Sequence, residues 1–528
     1  MLACLLACGV FITLGVLLIP LAGLQTDEAL FGSPLYFNPD NHLWGRLARL
    51  DVPVMLMSYL GSLKSFFYLP IFEILGTNVW TIRLPMVLLG AATIFVFYKL
   101  ALAALGRNSA LLAAFLLATD PLFLLTNTFD WGPVAVEHFL LVTGCWALFQ
   151  FGTTNGFGTA IGSKWHLRLG FFCFGLALWN KAIFLWALAG LGVATLAVLL
   201  PWLRRNLNFA NFRTALLAFL LGAAPFVYYN AVNPLITFRQ NAHLAPEEIP
   251  GKWLQLEAGL QGNSLFGYIA SEEWMDPAKP AQTAPQRLSL ALRDAIGPRR
   301  STGFYYVLGA LVALVPLWWR CRTAWFSLTF AAVAWLWMAM THDAGAGAHH
   351  VVLLWPFPIL FAAAAVRKLP AWAVLAAGIA LVSQNLVVDN QYLAQLTRNG
   401  AHNTFSDAIF PLSEALDDSV GNAIYVTDWG MFDSLNLLHR GRLPLRAAAG
   451  PFVPATPDPE QTAEAQRMLL DPKGLFIGHV PGQEAFPDVR QHVDQLAQKA
   501  GFRREVVRTI SDSNGRPMFE ISRAVPSK

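Results

Sequence analysis

Acidic residues are missing from long parts of this 528-residue chain: none lies between Glu137 and Glu247, between Asp294 and Asp343, or between Asp343 and Asp389. Charge of either sign is scarce, at 13% of residues against about a quarter in soluble domains, while 55% are hydrophobic and mean hydropathy is +0.47. That excludes an ordinary soluble protein and indicates one embedded in a membrane. The net charge of +4 is spread thinly over short loops, so no basic patch is available to hold nucleic acid. Cysteines are few, and Cys4, Cys8, Cys145, Cys173 and Cys321 all fall in apolar runs or between basic loops. No disulfide framework is expected.

What is present is sorted by side. Laid down as membrane spans, the apolar runs leave Arg107, then Lys164 and Arg168, Arg204 and Arg205, Arg320 and Arg322, and Arg367 and Lys368 in connectors free of acid. The acids gather on the other face, beginning with Asp27-Glu28. Basic cytoplasmic connectors are the signature of a multi-span protein with its N-terminus inside. Leu2 to Leu24 lacks the basic start and cleavage site of a signal peptide and is read as a retained first span. Further spans are expected near 80–103, 109–127, 132–152, 214–232, 303–319, 323–341, 350–366 and 370–388. The run 168–201 would measure about 50 Å as one helix, too long for a ~30 Å core, and both its flanks are basic. It must turn back near Asn180-Lys181. The expected plan is therefore all-α and polytopic, with about eleven transmembrane helices.

Three segments on the acidic face exceed mere connectors: 25–79, 233–302 and everything from 389 on. The first mixes apolar stretches with Arg46, Arg49, Asp51, Lys64 and Glu73, as interfacial amphipathic helices do. The second carries Trp253 and Trp274 in a run rich in Pro, Gln and Glu. After Asp389 the composition becomes that of a small α/β domain, with strand-like runs at 423–427, 474–479, 505–510 and 518–522 and helical ones at 461–470 and 489–500. Expected domains are a transmembrane unit, 1–388, and a periplasmic α/β domain, 389–528. Tryptophans 80, 131, 318, 319 and 355 suit an aromatic belt at the interfaces.

Chemistry is expected on the acidic face. A carboxylate directly after the first span, Asp27 or Glu28, sits beside low-dielectric material that raises its basicity toward that of a general base. Asp130 falls in a tight turn, Asp130-Trp-Gly-Pro, and is counted with the substrate- and phosphate-binding candidates, an Asx turn or helix cap being the plainer reading. Asp120 falls inside a span and needs a partner there. Lys64, Arg83, Lys181, His349 and His350 reach the same face and together could hold a phosphate. The loop His342-Asp343 to His349-His350 has no helical i,i+4 histidine pair, so no metal is predicted, and a divalent cation is left only as an option.

Several short pieces in order carry a resemblance. They are Thr26-Asp27-Glu28, Tyr59-Leu-Gly-Ser-Leu-Lys64 with Tyr68-Leu-Pro-Ile-Phe, Gly76 to Arg83-Leu-Pro, Ala118-Thr-Asp120-Pro and Asp130-Trp-Gly-Pro, with a looser echo in His349-His350 and Trp355-Pro-Phe-Pro358. The chain resembles the membrane glycosyltransferases of the C superfamily (GT-C), in the family-39-like branch of protein O-mannosyltransferases and the lipid A aminoarabinose transferase. The resemblance implies a polyprenyl-phosphate-sugar donor, a periplasmic active site in the bacterial inner membrane, the Asp after the first span as base, and no cofactor. By that likeness Asp27 is the base, the transfer inverts the anomeric centre, and the acceptor is an envelope protein, lipid A or glycan. Two other readings stay open: a polytopic transporter or lipid flippase, and a scaffold whose last domain binds an envelope partner.

Overall fold

The computed structural model describes residues 1–36, 46–47, 50–154, 163–272, 278–419, 421–454 and 456–527; Arg49 and Trp274 lie outside them. Helix α1 (Leu2–Leu18) is followed by α2 (Thr26–Ala29), a short hairpin of β1 (Arg46–Leu47) and β2 (Leu50–Pro53), and α3 (Leu63–Leu75). Next come α4 (Val79–Leu105), α5 (Arg107–Ala118), α6 (Pro121–Thr128), α7 (Val134–Thr154), α8 (Ser163–Asn180), α9 (Phe184–Asn206) and α10 (Phe209–Val232). The second large segment holds α11 (Ile236–Asn241), α12 (Ile249–Gln261) and α13 (Ala284–Ile296). The bundle closes with α14 (Phe304–Ala313), α15 (Val315–Trp318), α16 (Arg322–Met340), α17 (Ala348–Val351), α18 (Phe357–Ala365) and α19 (Ala371–Asn399).

Among the described residues, seven helices are long and apolar enough to cross a membrane, and up to nine spans result if the bent pairs α5–α6 and α17–α18 each count as one. The two remaining expected spans correspond to α8, whose first turns carry Lys164 and Arg168, and to the short α14–α15 pair. The bend of 54° between α5 and α6 has a local cause. Asp120 caps α6, accepting the Phe123 N–H at 2.8 Å, and Pro121 opens the new helix without needing a donor. The carboxylate expected inside a span thus finds its partner at a helix break. The turn expected at Asn180-Lys181 is present, with α8 ending at Asn180 and Lys181 pairing with Leu60 of the first segment.

Helix α3 leaves Phe66, Phe67, Leu69, Ile74 and Leu75 exposed, as an interfacial helix does. The belt expectation fails in part, because Trp131, Trp318 and Trp355 are fully buried. Beyond α19, which runs past position 388 to Asn399, come α20 (Ile409–Ala415), α21 (Phe432–Leu438), α22 (Pro459–Leu469) and α23 (Val489–Lys499). They accompany β3 (Ile424–Val426), β4 (Leu445–Ala447), β5 (Leu475–His479), β6 (Phe502–Ser511) and β7 (Pro517–Pro526). The strands form one sheet in the order β4-β3-β5-β7-β6, parallel across β4, β3 and β5 and antiparallel beyond. Of these, β4, α20 and α21 were not legible in the sequence.

Candidate active site

The segment from Gly23 to Tyr36 carries both candidate bases and is gripped from two sides. On the bundle side Arg83 of α4, fully buried, spends three of its five N–H donors on it and the other two on the chain just before it. Nε donates to Glu28 Oε1 at 2.7 Å and Nη2 to Glu28 Oε2 at 2.8 Å and to Gly23 O at 2.7 Å, while Nη1 donates to Ile19 O at 2.6 Å and Ala22 O at 2.8 Å. This corrects two expectations: Arg83 has no donor left for a phosphate, and Glu28, 1% exposed and neutralised by its bidentate partner, is not a free base.

On the other side α21 docks against α2. Ser434 Oγ donates to Leu24 O at 2.9 Å, and Asn436 Nδ2 donates to Ser33 O at 3.1 Å and Ser33 Oγ at 2.9 Å. Replacing Asn436 by Ala is expected to speed amide exchange across residues 24–36 and leave α4 unchanged, as read by hydrogen-exchange mass spectrometry. Asp433, at the start of the same helix, is pushed up to about 6 by burial, opposed by Ser33 and aided by the charge of Asp27.

Asp27 itself is half-buried. Gln25 caps α2, accepting from the Asp27 N–H at 2.6 Å, and its Nε2 approaches Asp27 Oδ2 at 3.3 Å. Burial raises the Asp27 pKa above the usual carboxylate value, against the pull of Gln25 and Lys181. The phenols of Tyr59 and Tyr268 are pushed up by burial and then by the Asp27 charge.

Lys64 and Asp130 require a second correction. Lys64 Nζ lies 2.7 Å from Asp130 Oδ2 and donates to Asp130 O at 3.0 Å, with both side chains at most 1% exposed. Asp130 Oδ1 also accepts the Ala135 N–H at 2.9 Å at the start of α7. The pair fixes the turn rather than facing a ligand. The plainer reading of Asp130 holds.

Lys181 differs: among the described residues it forms no ion pair within 4.0 Å, yet it is only 3% exposed. Burial lowers its pKa, while Glu137, Asp27 and Asp130 pull it back up. Gly132, at φ +81°, leaves room beside it, since a Cβ there would stand 3.5 Å from Lys181 Nζ and 3.9 Å from His349 Cδ2. Trp131 Nε1 donates to His349 Nδ1 at 2.7 Å, so a neutral His349 carries its proton on Nε2 and can donate it. The His350 ring lies against that of His349 at a tilt of 52°, with centroids 4.2 Å apart. Trp131, Tyr268 and Phe405 form an aromatic cluster on the same side, with centroids 5.6 to 5.9 Å apart.

Among the described residues, Asp27 and Lys181 thus remain outside the ion pairs, with the His349 donor beside Lys181. Among the described residues, the one three-residue group with metal-ligand spacing is Glu248, His342 and Asp343. Glu248 already accepts from Asp343 N at 3.1 Å, contacts His342 Nδ1 at 2.6 Å and pairs with Lys252 at 2.8 Å, so the group satisfies itself.

No family model matches the chain, and no curated relative does. Solved structures do. ArnT from Cupriavidus metallidurans bound to undecaprenyl phosphate superposes with TM-score 0.60 at 13% identity, over 98% of this chain and 97% of that one. The same protein in the apo state gives 0.52 at 14% identity, over 95% and 93%. The fold is GT-C. The Archaeoglobus fulgidus oligosaccharyltransferase in its apo form also shares it, at TM-score 0.50 and 12% identity over 95% of this chain and 69% of that one.

On this GT-C frame Lys181 and His349 line one cavity, the charge of Asp27 acts on Lys181, and Glu28, Arg83, Lys64 and Asp130 are drawn into structural pairs. Sequence reading missed Tyr59, Tyr268 and Gln25, whose types are common in any loop. It also missed Glu137, whose one available signal was an acid in the first turn of an apolar helix.

Proposed function

We propose that this GT-C protein is a glycosyltransferase that moves a sugar from a polyprenyl-phosphate donor to an envelope acceptor at the periplasmic face of the bacterial inner membrane. The observation that carries the reading is the buried Lys181, without an ion pair among the described residues, on which the charge of the desolvated Asp27 acts at the edge of an apolar bundle. A lipid phosphate needs a cation; an acceptor hydroxyl needs a base. Asp27 takes the proton of the acceptor hydroxyl, the oxygen attacks the anomeric carbon, and the bond from that carbon to the phosphate oxygen breaks. The electron pair leaves with the phosphate, whose growing charge is met by Lys181 and the Nε2–H of His349. Attack opposite the leaving group inverts the anomeric configuration. The phosphate departs unprotonated, so a single carboxylate suffices.

Residues 1–388 form the transferase unit in this reading, and 389–528 a periplasmic domain that steadies the Asp27 segment. Replacing Lys181 by Gln is expected to weaken binding of polyprenyl phosphate about tenfold or more, the worth of one charged hydrogen bond, without lowering the unfolding temperature. Native mass spectrometry of protein in mild detergent reads this directly. A wild type that retains bulk lipids but binds no polyprenyl phosphate, free or glycosylated, would return the protein to the transporter and scaffold readings.

A further inference from the structure

A small cavity opens beside Lys181 and His349, bounded by Glu137 and His138 of α7 and by Val352, with room for about one water-sized group. Glu137 and His138 are 3% and 1% exposed. Each has one satisfied atom and one orphan. Glu137 Oε2 accepts from Asn180 Nδ2 at 2.6 Å, while Oε1 is buried with no partner. His138 Nε2 lies 2.7 Å from the carbonyl of Val352, which can only accept, so Nε2 carries the proton and Nδ1 presents a lone pair; that atom too is buried and unmatched.

Both orphans are therefore acceptors, and a buried acceptor left without a donor is unfavourable. Whatever completes them must donate a hydrogen bond. A phosphate dianion, which only accepts, cannot satisfy them, although Lys181 and His349, which line the same cavity, can donate to phosphate oxygens next to it. A sugar phosphate offers both halves in one molecule: phosphate oxygens for the cation and a hydroxyl or ammonium group for the acceptors.

We infer that the Glu137–His138 cavity is a specificity subsite of the donor sugar, receiving one of its hydroxyl or ammonium groups. The inference rests on the glycosyltransferase reading and names the group by which the donor is selected. Glu137 is the specificity-determining residue, because only its carboxylate can favour an ammonium over a hydroxyl.

The test measures binding of three short-chain probes to the full-length protein in nanodiscs: bare polyprenyl phosphate, the same lipid carrying a neutral hexose, and the same lipid carrying an amino sugar. Wild type is expected to bind at least one glycosylated probe more tightly than the bare lipid. Glu137→Gln, which places a donor where an acceptor is needed, is expected to weaken that glycosylated probe roughly tenfold or more and leave the bare lipid within about twofold. Equal loss on all three probes would show that Glu137 acts only through Lys181 and would overturn the subsite. No change on any probe would show that the cavity holds an ordered water only. Wild type that binds bare and glycosylated lipid equally also removes the subsite while sparing the glycosyltransferase reading; wild type that binds none of the three removes that reading itself. Should Glu137→Gln fail to accumulate, Glu137→Asp, which keeps the acceptor but withdraws it by one methylene, is read in the same way.

Discussion

Asp27→Asn lowers sugar transfer by about 10²–10⁴-fold, the usual worth of a positioned general base, while the protein keeps its unfolding temperature and its lipid-phosphate affinity. The amide matches the carboxylate in size and can still meet Gln25, so the segment held by Arg83 and α21 has no reason to move. A single-turnover assay with labelled glycosyl lipid separates loss of chemistry from loss of binding. Retention of more than a tenth of wild-type turnover would remove Asp27 from the role. The wild-type pH profile supplies a second check. Burial raises the Asp27 pKa, and the base works only when deprotonated, so activity is full above that raised pKa and lost as pH falls through it. The acid limb therefore lies at higher pH than an exposed aspartate would give, and is expected to vanish from the residual rate of Asp27→Asn.

Arg83→Met produces the largest loss of stability. It strips the buried Glu28 carboxylate of its counter-ion and leaves three carbonyls, of Ile19, Ala22 and Gly23, without their donor. Breaking one side of a buried pair costs about 3–5 kcal/mol, and the orphaned carbonyls add to it. The expected result is a protein that fails to accumulate, or unfolds at clearly lower temperature in detergent. The double change Arg83→Met with Glu28→Gln is expected to be milder than Arg83→Met alone, because the stranded charge is gone. A single mutant as stable as wild type would mean that Arg83 is not the clamp its geometry describes.

These two residues show what could be read from the chain. Asp27, Glu28, Arg83, Lys64, Asp130 and Lys181 all announced themselves as charges at the ends of apolar runs, and all lie on one face of the bundle. Which of them would cancel was not legible, since pairing depends on distances across 55 residues for Glu28–Arg83 and 66 for Lys64–Asp130. Sequence position supplies the charge, and the fold decides which charge is left over. The spans followed from apolar length and the basic connectors, including the turn at Lys181. The break at Asp120 was read as the interior of a span because a cap and a span interior look alike until the bend is seen. In the last domain, β5, β6 and β7 stood out by alternation or β-branched content, whereas β4 spans only Leu445–Ala447, too short to show a period.

The grip of α21 on the first segment has a consequence for how the protein is made. Ser434 and Leu24 are 410 positions apart, and Asn436 and Ser33 are 403. A ribosome delivers Asp27 to the membrane early and the helix that steadies it almost last, so a nascent or prematurely ended chain carries the base without its brace. On the proposed function, sugar transfer begins only after the final domain has docked, and an unfinished polypeptide would sit in the bilayer with its spans in place and its chemistry silent.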